Sequence, residues 1–187
     1  HAVVLDRVSA LDFDIAVFTN ITQDHLDFHK SFEEYAEAKQ KFFTSLKSNA
    51  VAITNADDAH GSFMIEHSEA NTHNYGIHDG SMFGQADITA SIKSMSLKGS
   101  SFEVSKRYSD ERALFTTSLV GEFNVSNVVA AASALYFGVE GFSLSVLAEG
   151  VTTLKPVRGR FEQVPLPTGA LAIIDYAHTP DSLENVL

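Results

Sequence analysis

Short apolar runs that end in polar residues recur along this chain. Three of them, residues 14–18, 50–53 and 170–174, are apolar almost throughout, which is typical of strands buried on both faces of a sheet. A helical pattern of apolar positions separates the first two runs, and the order strand, helix, strand predicts a parallel sheet. We therefore expect an α/β fold in which these three runs belong to a largely parallel sheet flanked by helices.

The middle third of the chain has a different pattern. Between residues 72 and 118, apolar and polar positions alternate in short runs, and glycines or polar clusters separate these runs. A period of two predicts half-buried strands, and the short connections predict antiparallel hairpins. We expect these strands to form a small antiparallel subsheet beside the parallel one.

Capping signals indicate where helices begin. Ser31 starts a capping-box pattern, and Thr179 followed by Pro180 is typical of a first helical turn. The run after Asn127, residues 128–137, is apolar nearly all round, so we expect a buried helix that ends at Gly138. Two further helices are expected over residues 58–67 and 143–152.

Lys39 is an anomaly on the helix that begins at Ser31. It falls on the apolar face, seven residues after Phe32 and seven before Leu46. Loss of hydration there favours a neutral amine, which can be carbamylated to give an anion that binds a metal. Alternatively, Lys39 lies at the edge of the face and its ammonium group reaches water. The spacing alone favours the second interpretation.

The run 14–18 ends abruptly in polar residues that could bind a ligand. Thr19 and Asn20 come next, and the sequence Asp24-His25-Leu26-Asp27 follows shortly afterwards. Ligands of open α/β sheets bind beyond the carboxyl ends of the strands. This stretch is therefore a plausible place for metal and phosphate chemistry.

Acidic and amide side chains near predicted helix starts have two interpretations. Asp57 and Asp58 follow the run 50–53, and capping of the next helix explains them better than metal binding does. Asn124 and Asn127 are three residues apart and lie on one side of a helix N-terminus. They could cap that helix, or they could form hydrogen bonds with the edge of a purine.

Further candidates lie near the predicted strands. Arg7 precedes the first strand, where it could bind a phosphate or carboxylate or simply be a solvated surface arginine. Arg160 lies in an Arg-Gly-Arg loop that suits a phosphate or a ribose. Asp175 and His178 lie between the run 170–174 and the helix predicted at Thr179, a place that favours an anion.

Composition restricts the class of partner. The net charge of −11 argues against nucleic acid or an anionic membrane, although a few local cations or Mg²⁺ could hold a small anionic ligand. No apolar run approaches the roughly 20 residues needed to span a bilayer, so no membrane insertion is expected. The chain contains no cysteine, which is compatible with a reducing compartment. It also contains no G-x-x-x-x-G-K-[ST] phosphate loop.

Taken in order along the chain, these motifs resemble those of the Mur ligase family, whose enzymes build the peptide of peptidoglycan. The match extends over nearly the whole chain, and the ordered set is far more specific than any single motif. The matching pieces are His1-Ala2, Arg7-Val8, Phe13-Asp14, Ala16-Val17-Phe18-Thr19-Asn20, Asp24-His25-Leu26-Asp27 with His29, Tyr35 with Ala38-Lys39, Asn55-Ala56-Asp57-Asp58, Gly121 with Phe123-Asn124-Val125-Ser126-Asn127, Gly159-Arg160-Phe161-Glu162, and Asp175-Tyr176-Ala177-His178-Thr179-Pro180-Asp181.

The resemblance implies a cytoplasmic ligase that requires ATP and Mg²⁺. In that reaction the terminal carboxylate of the UDP-N-acetylmuramoyl-dipeptide, UDP-N-acetylmuramoyl-L-alanyl-D-glutamate, is phosphorylated by ATP. The amine of a diamino acid, either meso-diaminopimelate or L-lysine, then attacks the acyl phosphate, and an amide, phosphate and ADP result. Two polyanions must approach one another, so Mg²⁺ and placed cations must offset their repulsion.

The resemblance also implies roles for single residues. Lys39 matches a carbamylated lysine that helps to hold a second Mg²⁺, and His25 matches the histidine ligand of that metal. The resemblance therefore favours the functional interpretation of Lys39, whereas spacing alone favours the snorkelling ammonium group. The remaining matched residues imply contacts with substrates: Arg7 with the UDP-muramoyl group, Asn124 and Asn127 with the adenine, and Arg160 with the ribose or phosphate. Asp175 and His178 match residues near the nucleotide phosphates. We expect catalytic roles for Lys39, His25, Asp175 and His178.

Some parts of the family pattern are absent from residues 1–187. The phosphate loop, an acidic Mg²⁺ ligand and the UDP-binding domain would precede His1, and the domain that selects the amino acid would follow Leu187. We therefore expect residues 1–187 to be a central ATP-binding domain that is inactive alone. Two alternatives remain open: a related ligase resembling cyanophycin or folylpolyglutamate synthetase, or a non-catalytic binding domain of the same fold.

Overall fold

A six-stranded sheet organises the molecule. The computed structural model describes residues 2–8, 10–22, 31–77 and 85–187, except for the side chain of Asp181. The elements, in chain order, are β1 (Ile15–Phe18), α1 (Phe32–Thr44), β2 (Val51–Asn55), α2 (Gly61–Ile65), β3 (Asn71–Gly76), β4 (Ile88–Ser96), β5 (Gly99–Lys106), β6 (Arg112–Thr117), α3 (Glu122–Gly138), α4 (Leu144–Val151), β7 (Glu162–Pro165), β8 (Leu171–Ile174) and α5 (Pro180–Val186).

The strands follow one another in the sheet in the order of the chain. The first four, β1 to β4, are parallel neighbours, and β4, β5 and β6 are antiparallel neighbours. Ile15 lies opposite Val51, and Val51 lies opposite Asn71. The expected α/β fold, with a largely parallel sheet, flanking helices and a small antiparallel sheet, is confirmed.

The membership of the two sheets differs from the prediction. The antiparallel strands β4–β6 extend the main sheet, whereas the separate small sheet consists of β7 and β8. The run 170–174 therefore does not belong to the parallel sheet, and it is not buried: Leu171, Ile173 and Ile174 are 37%, 38% and 50% exposed. β3 lies almost entirely within residues 72–118, for which antiparallel hairpins are predicted, but it pairs in parallel with β2. Periodicity identifies a strand but contains no information about its neighbour.

Strand β2 separates two apolar clusters because its side chains alternate between the faces of the sheet. Ala52 packs in the cluster beneath α1 and α2, together with Phe18, Phe43 and Met64. Ile53 points the other way, into a cluster formed with α3 and α4. That second cluster also contains the fully buried Tyr75, Phe102, Phe115 and Val129. Helices therefore cover both faces, as parallel strands require.

The helix boundaries agree with most of the capping signals. Ser31, Ser143 and Thr179 are the N-caps of α1, α4 and α5, and each side chain accepts a hydrogen bond from the first helical turn. α3 ends at Gly138, as expected. α2 is shorter than predicted, with only five residues. None of the helices in the described ranges is both long and apolar enough to cross a membrane.

Candidate functional site

Three polar side chains, at the last residue of β2 and just after it, tie together the carboxyl ends of the first three strands. Asn55 Nδ2 donates to the Thr19 carbonyl oxygen after β1 at 2.8 Å, and Asp58 Oδ2 accepts from the Ile21 backbone N–H at 3.1 Å. Asp57 Oδ2 accepts from the backbone N–H of Ile77, beyond β3, at 2.6 Å. A cluster of loops is thus held rigid at the edge where open α/β folds bind their ligands.

This arrangement corrects the capping interpretation of Asp57 and Asp58. His60 is the N-cap of α2 and makes no capping hydrogen bond through its side chain. Asp58 Oδ1 instead accepts from the His60 backbone N–H at 2.8 Å, which shapes the turn before the helix. Both carboxylates bind backbone groups that are distant in sequence, and local sequence patterns do not reveal such partners.

A cavity of about 670 Å³ lies beside this edge. Its walls come from the loop after β1, the first turns of α3, the loop between α4 and β7, and the segment from the end of β8 into α5. The lining residues are Asn20, Leu119, Phe123, Asn124, Ser126, Asn127, Leu154, Lys155, Val157, Arg160, Asp175, Tyr176, Ala177, His178, Thr179, Ser182, Asn185 and Val186. The volume and the mixed polar and apolar lining suit a ligand of nucleotide size.

The fold brings most of the candidate residues together in this cavity. Asn124, Asn127, Arg160, Asp175 and His178 all line it, although up to 54 residues separate them along the chain. The lining does not include Lys39 or Arg7, and His25 lies outside the described residues.

The two asparagines of α3 do not cap the helix, contrary to one of the two interpretations. Gly121 is the N-cap, with a φ of +96°, a backbone conformation that glycine adopts without strain, and a Cβ there would also lie only 2.5 Å from the Phe123 ring. Asn124 Nδ2 donates to the Val120 carbonyl oxygen at 2.8 Å, so its Oδ1 and the second amide hydrogen are left for a ligand. Asn127 lines the same wall one helical turn further along.

Arg160, Tyr176 and His178 form a row of side chains that also lines the cavity. The guanidinium carbon of Arg160 lies 5.2 Å from the centre of the Tyr176 ring, and the Tyr176 and His178 rings are 4.9 Å apart. His178 Nδ1 lies 2.9 Å from the Tyr176 carbonyl oxygen. A carbonyl can only accept, so Nδ1 carries the proton and Nε2 is free to contact a ligand.

Asp175 contacts the backbone with both oxygens of its carboxylate. Oδ2 accepts from the Phe161 N–H at 2.6 Å, and Oδ1 accepts from the Ala177 N–H at 2.7 Å. The carboxylate thereby joins the loop that carries Arg160 to the segment that carries Tyr176. Asp175 therefore links two walls of the cavity through the backbone.

Lys39 has an environment between the two that were predicted. It is half-buried on α1, and its Nζ lies 4.9 Å from the centre of the Tyr35 ring, in the geometry of a cation–π contact. Within residues 2–8, 10–22, 31–77 and 85–187, no group of three His, Asp or Glu side chains could hold a metal ion. Arg7 is exposed in the turn-rich segment before β1.

Sequence reasoning missed two residues of the cavity. Tyr176 lies within one of the motifs, but its aromatic ring was given no part in the site. Lys155 lies on the loop between α4 and β7, and its ammonium group adds a second cation beside Arg160. Tyr176 is adjacent to Asp175 and Lys155 is five residues from Arg160, and this closeness to predicted site residues is the signal that could have identified them.

The fold and the cavity define an α/β ligand-binding domain whose site lies beside the carboxyl edge of a parallel sheet. Residues 1–135 match the family model described as the Mur ligase middle domain. The chain belongs to the Mur ligase family, and the predicted resemblance is confirmed.

Two relatives illustrate the similarity. The UDP-N-acetylmuramoyl-L-alanyl-D-glutamate–2,6-diaminopimelate ligase of Bacillus velezensis is 41% identical over the whole of this chain and 38% of its own length. The ligase of the same name from Phocaeicola vulgatus is 37% identical over the whole chain and 36% of its own length. The chain therefore spans little more than a third of the length of these relatives.

Solved structures give the same result. A structure of a diaminopimelate ligase of that name superposes with a TM-score of 0.76 and 33% identity, over 98% of this chain and 36% of the other. The MurF ligase of Thermotoga maritima, solved in complex with ADP, has a TM-score of 0.75 and 21% identity over 96% of this chain and 39% of its own. At that identity, the second comparison shows the shared fold alone.

Proposed function

We propose that this chain is the nucleotide-binding part of a ligase that forms an amide bond at the expense of ATP. The substrates would be UDP-N-acetylmuramoyl-L-alanyl-D-glutamate and a diamino acid. The reaction would take place in the cytoplasm, where ATP and UDP-linked precursors occur. The observation that carries the proposal is the convergence of Asn124, Asn127, Arg160 and His178 on one cavity of about 670 Å³. The names of the relatives that are 41% and 37% identical support diaminopimelate as the diamino acid.

The cavity suits an adenosine nucleotide with the base toward α3. Asn127 can both donate to and accept from the edge of a purine, and Asn124 Oδ1 can accept from an exocyclic amine. The low polarity of the neighbouring Leu119, Phe123 and Leu154 suits the faces of a base. The amide pair would therefore select adenine by its hydrogen-bonding pattern.

The cations of the cavity would bind the ribose and phosphates. Arg160 can form paired hydrogen bonds with a phosphate, and Lys155 adds a second positive charge. His178 would contact the same end through Nε2, which accepts in the neutral ring and donates only in the protonated ring, since Nδ1 donates to a backbone carbonyl. These local cations offset the net charge of −11, which would otherwise repel a polyanion.

The metal site and the muramoyl contact stay proposals. Mg²⁺ would offset phosphate charge when bound, and we propose a carbamylated Lys39 and His25 as its ligands. The described residues alone do not form a three-ligand cluster, so we derive no step through the metal. Carbamylation would replace the ammonium group at the Tyr35 ring by an anion. Intact-mass spectrometry in bicarbonate buffer would detect the carbamate, with Lys39→Arg as the control. The exposed Arg7 is available to a UDP-muramoyl group.

Titration calorimetry with Mg·ADP tests the nucleotide site. Arg160→Gln removes a charge-assisted hydrogen bond to a phosphate or ribose, so we expect an affinity loss of about 10- to 100-fold. Arg112→Gln is the matched control, because Arg112 is an exposed arginine of β6 that does not line the cavity. Equal affinities in the two variants, or a wild-type chain that does not bind Mg·ADP, would refute the proposal.

A further inference from the structure

The loop that carries Arg160 has an unusual backbone. Gly159 has a φ of +70° and Phe161 a φ of +47°, both in the left-handed region. Glycine adopts this conformation without strain, whereas an aromatic residue there costs about 1–2 kcal/mol. The conformation of Phe161 must therefore be maintained by contacts with the rest of the protein.

Asp175 provides two of the hydrogen bonds that hold this loop. Its carboxylate accepts from the strained residue itself, at Phe161 N, and from Ala177 N on the other side of Tyr176. A backbone hydrogen bond from Tyr176 N to the Gly159 carbonyl oxygen, 3.0 Å long, lies between these two contacts. One carboxylate thus fixes the residue after Arg160 and the residue after Tyr176.

These backbone hydrogen bonds bear on the positions of the Arg160 and Tyr176 side chains. Arg160 and Tyr176 project into the cavity, and the guanidinium group lies 5.2 Å from the centre of the ring. Tyr176 is 65% exposed, so packing alone does little to hold it in place. The backbone contacts of Asp175 therefore help to set the position of the guanidinium group relative to the cavity, together with the hydrogen bond that Gly159 N donates to Glu162 Oε2.

We propose that Asp175 is a positioning residue, which holds Phe161 in its left-handed conformation and thereby places Arg160 for the ribose or phosphate of a bound nucleotide. This proposal rests on the proposed function, and it assigns Asp175 a role that acts through Arg160. A direct contact with the nucleotide is the competing role, because each carboxylate oxygen keeps a second lone pair after accepting one backbone hydrogen bond.

A double-mutant cycle on nucleotide affinity separates the two roles. We expect Asp175→Asn to weaken Mg·ADP binding about tenfold, because the amide nitrogen cannot accept a hydrogen bond. Phe161→Gly removes the strain, since glycine adopts a positive φ freely. In the F161G background, D175N should therefore weaken binding by no more than about threefold. An equal loss in both backgrounds would show a direct contact and overturn the proposal.

A second measurement needs no nucleotide. Residue-resolved amide hydrogen exchange should show protected Phe161 and Ala177 N–H groups in the wild-type chain and faster exchange at both in D175N. Asp110→Asn, at an exposed aspartate, is the control and should change neither. Unchanged protection in D175N would overturn the anchoring role. If the wild-type chain does not bind Mg·ADP, the nucleotide role of Arg160 is refuted together with the proposed function, while the exchange result still decides whether Asp175 fixes the loop.

Discussion

Asp58 offers a sharp test of how the carboxyl edge of the sheet is held together. Its side chain is 13% exposed, and the two oxygens accept separate backbone hydrogen bonds, from Ile21 at 3.1 Å and from His60 at 2.8 Å. The first bond fixes the loop after β1, and the second shapes the turn before α2. Replacing Asp58 by alanine removes both acceptor oxygens and leaves the backbone N–H groups of Ile21 and His60 without these hydrogen bonds.

The expected cost follows from the number of bonds. A hydrogen bond to a charged group contributes about 1.5–3 kcal/mol, so Asp58→Ala should lower the free energy of unfolding by about 4 kcal/mol. For a domain of this size, that loss corresponds to a decrease in Tm of about 8–16 °C. Asp58→Asn keeps one acceptor oxygen of the same shape, so its cost should be about half as large.

Urea unfolding followed by far-UV circular dichroism measures these differences, which suits a chain that contains no tryptophan. Asp110→Ala is the matched control, because Asp110 is exposed, and its unfolding free energy should change by no more than about 0.5 kcal/mol. If Asp58→Ala and Asp110→Ala unfold at the same urea concentration, the edge is not held by Asp58, and the physical description of the site is wrong.

Three further predictions follow from single features. Burial lowers the pKa of His73 despite the nearby Asp87, so the unfolded chain binds a proton more readily than the folded chain does. The free energy of unfolding should therefore fall as the pH drops below about 6.5, and it should depend less on pH in His73→Gln. Gly61→Ala should prevent stable folding, because its Cβ would lie 2.0 Å from the Asn55 carbonyl oxygen, whereas Gly150→Ala, in open space on α4, should stabilise the chain by about 0.5–1 kcal/mol. Residues 1–187 contain no phosphate-loop motif, so the isolated chain should not turn over ATP in a phosphate-release assay.

Each of these predictions has an outcome that contradicts it. Equal pH dependence of the urea midpoint in the wild type and in His73→Gln would exclude His73 as the group responsible. Equal stability of the two glycine variants would contradict the close approach at Gly61. Normal ATP turnover by the chain would show that it contains its own phosphate site.

Much of the candidate site could be predicted because its residues occur in ordered motifs. The motifs containing Asn124, Asn127, Arg160, Asp175 and His178 led to a proposed nucleotide site, and the fold places all five on one cavity. Their chemical roles are a different matter. Whether a carboxylate such as Asp175 faces a ligand or a backbone N–H depends on the path of a loop that is 14 residues away along the chain.

The amino-acid sequence by itself determined the class of fold, the positions of the strands and most helix starts, and membership of the Mur ligase family. These properties are local, because a period of apolar residues or a capping side chain acts over a few positions. Only the tertiary structure decided that β8 pairs with β7 and remains exposed, and that Asn55, Asp57 and Asp58 join three strand ends. Those outcomes depend on contacts between residues 20 to 37 positions apart, or on which strand becomes a neighbour, and short-range patterns do not encode either.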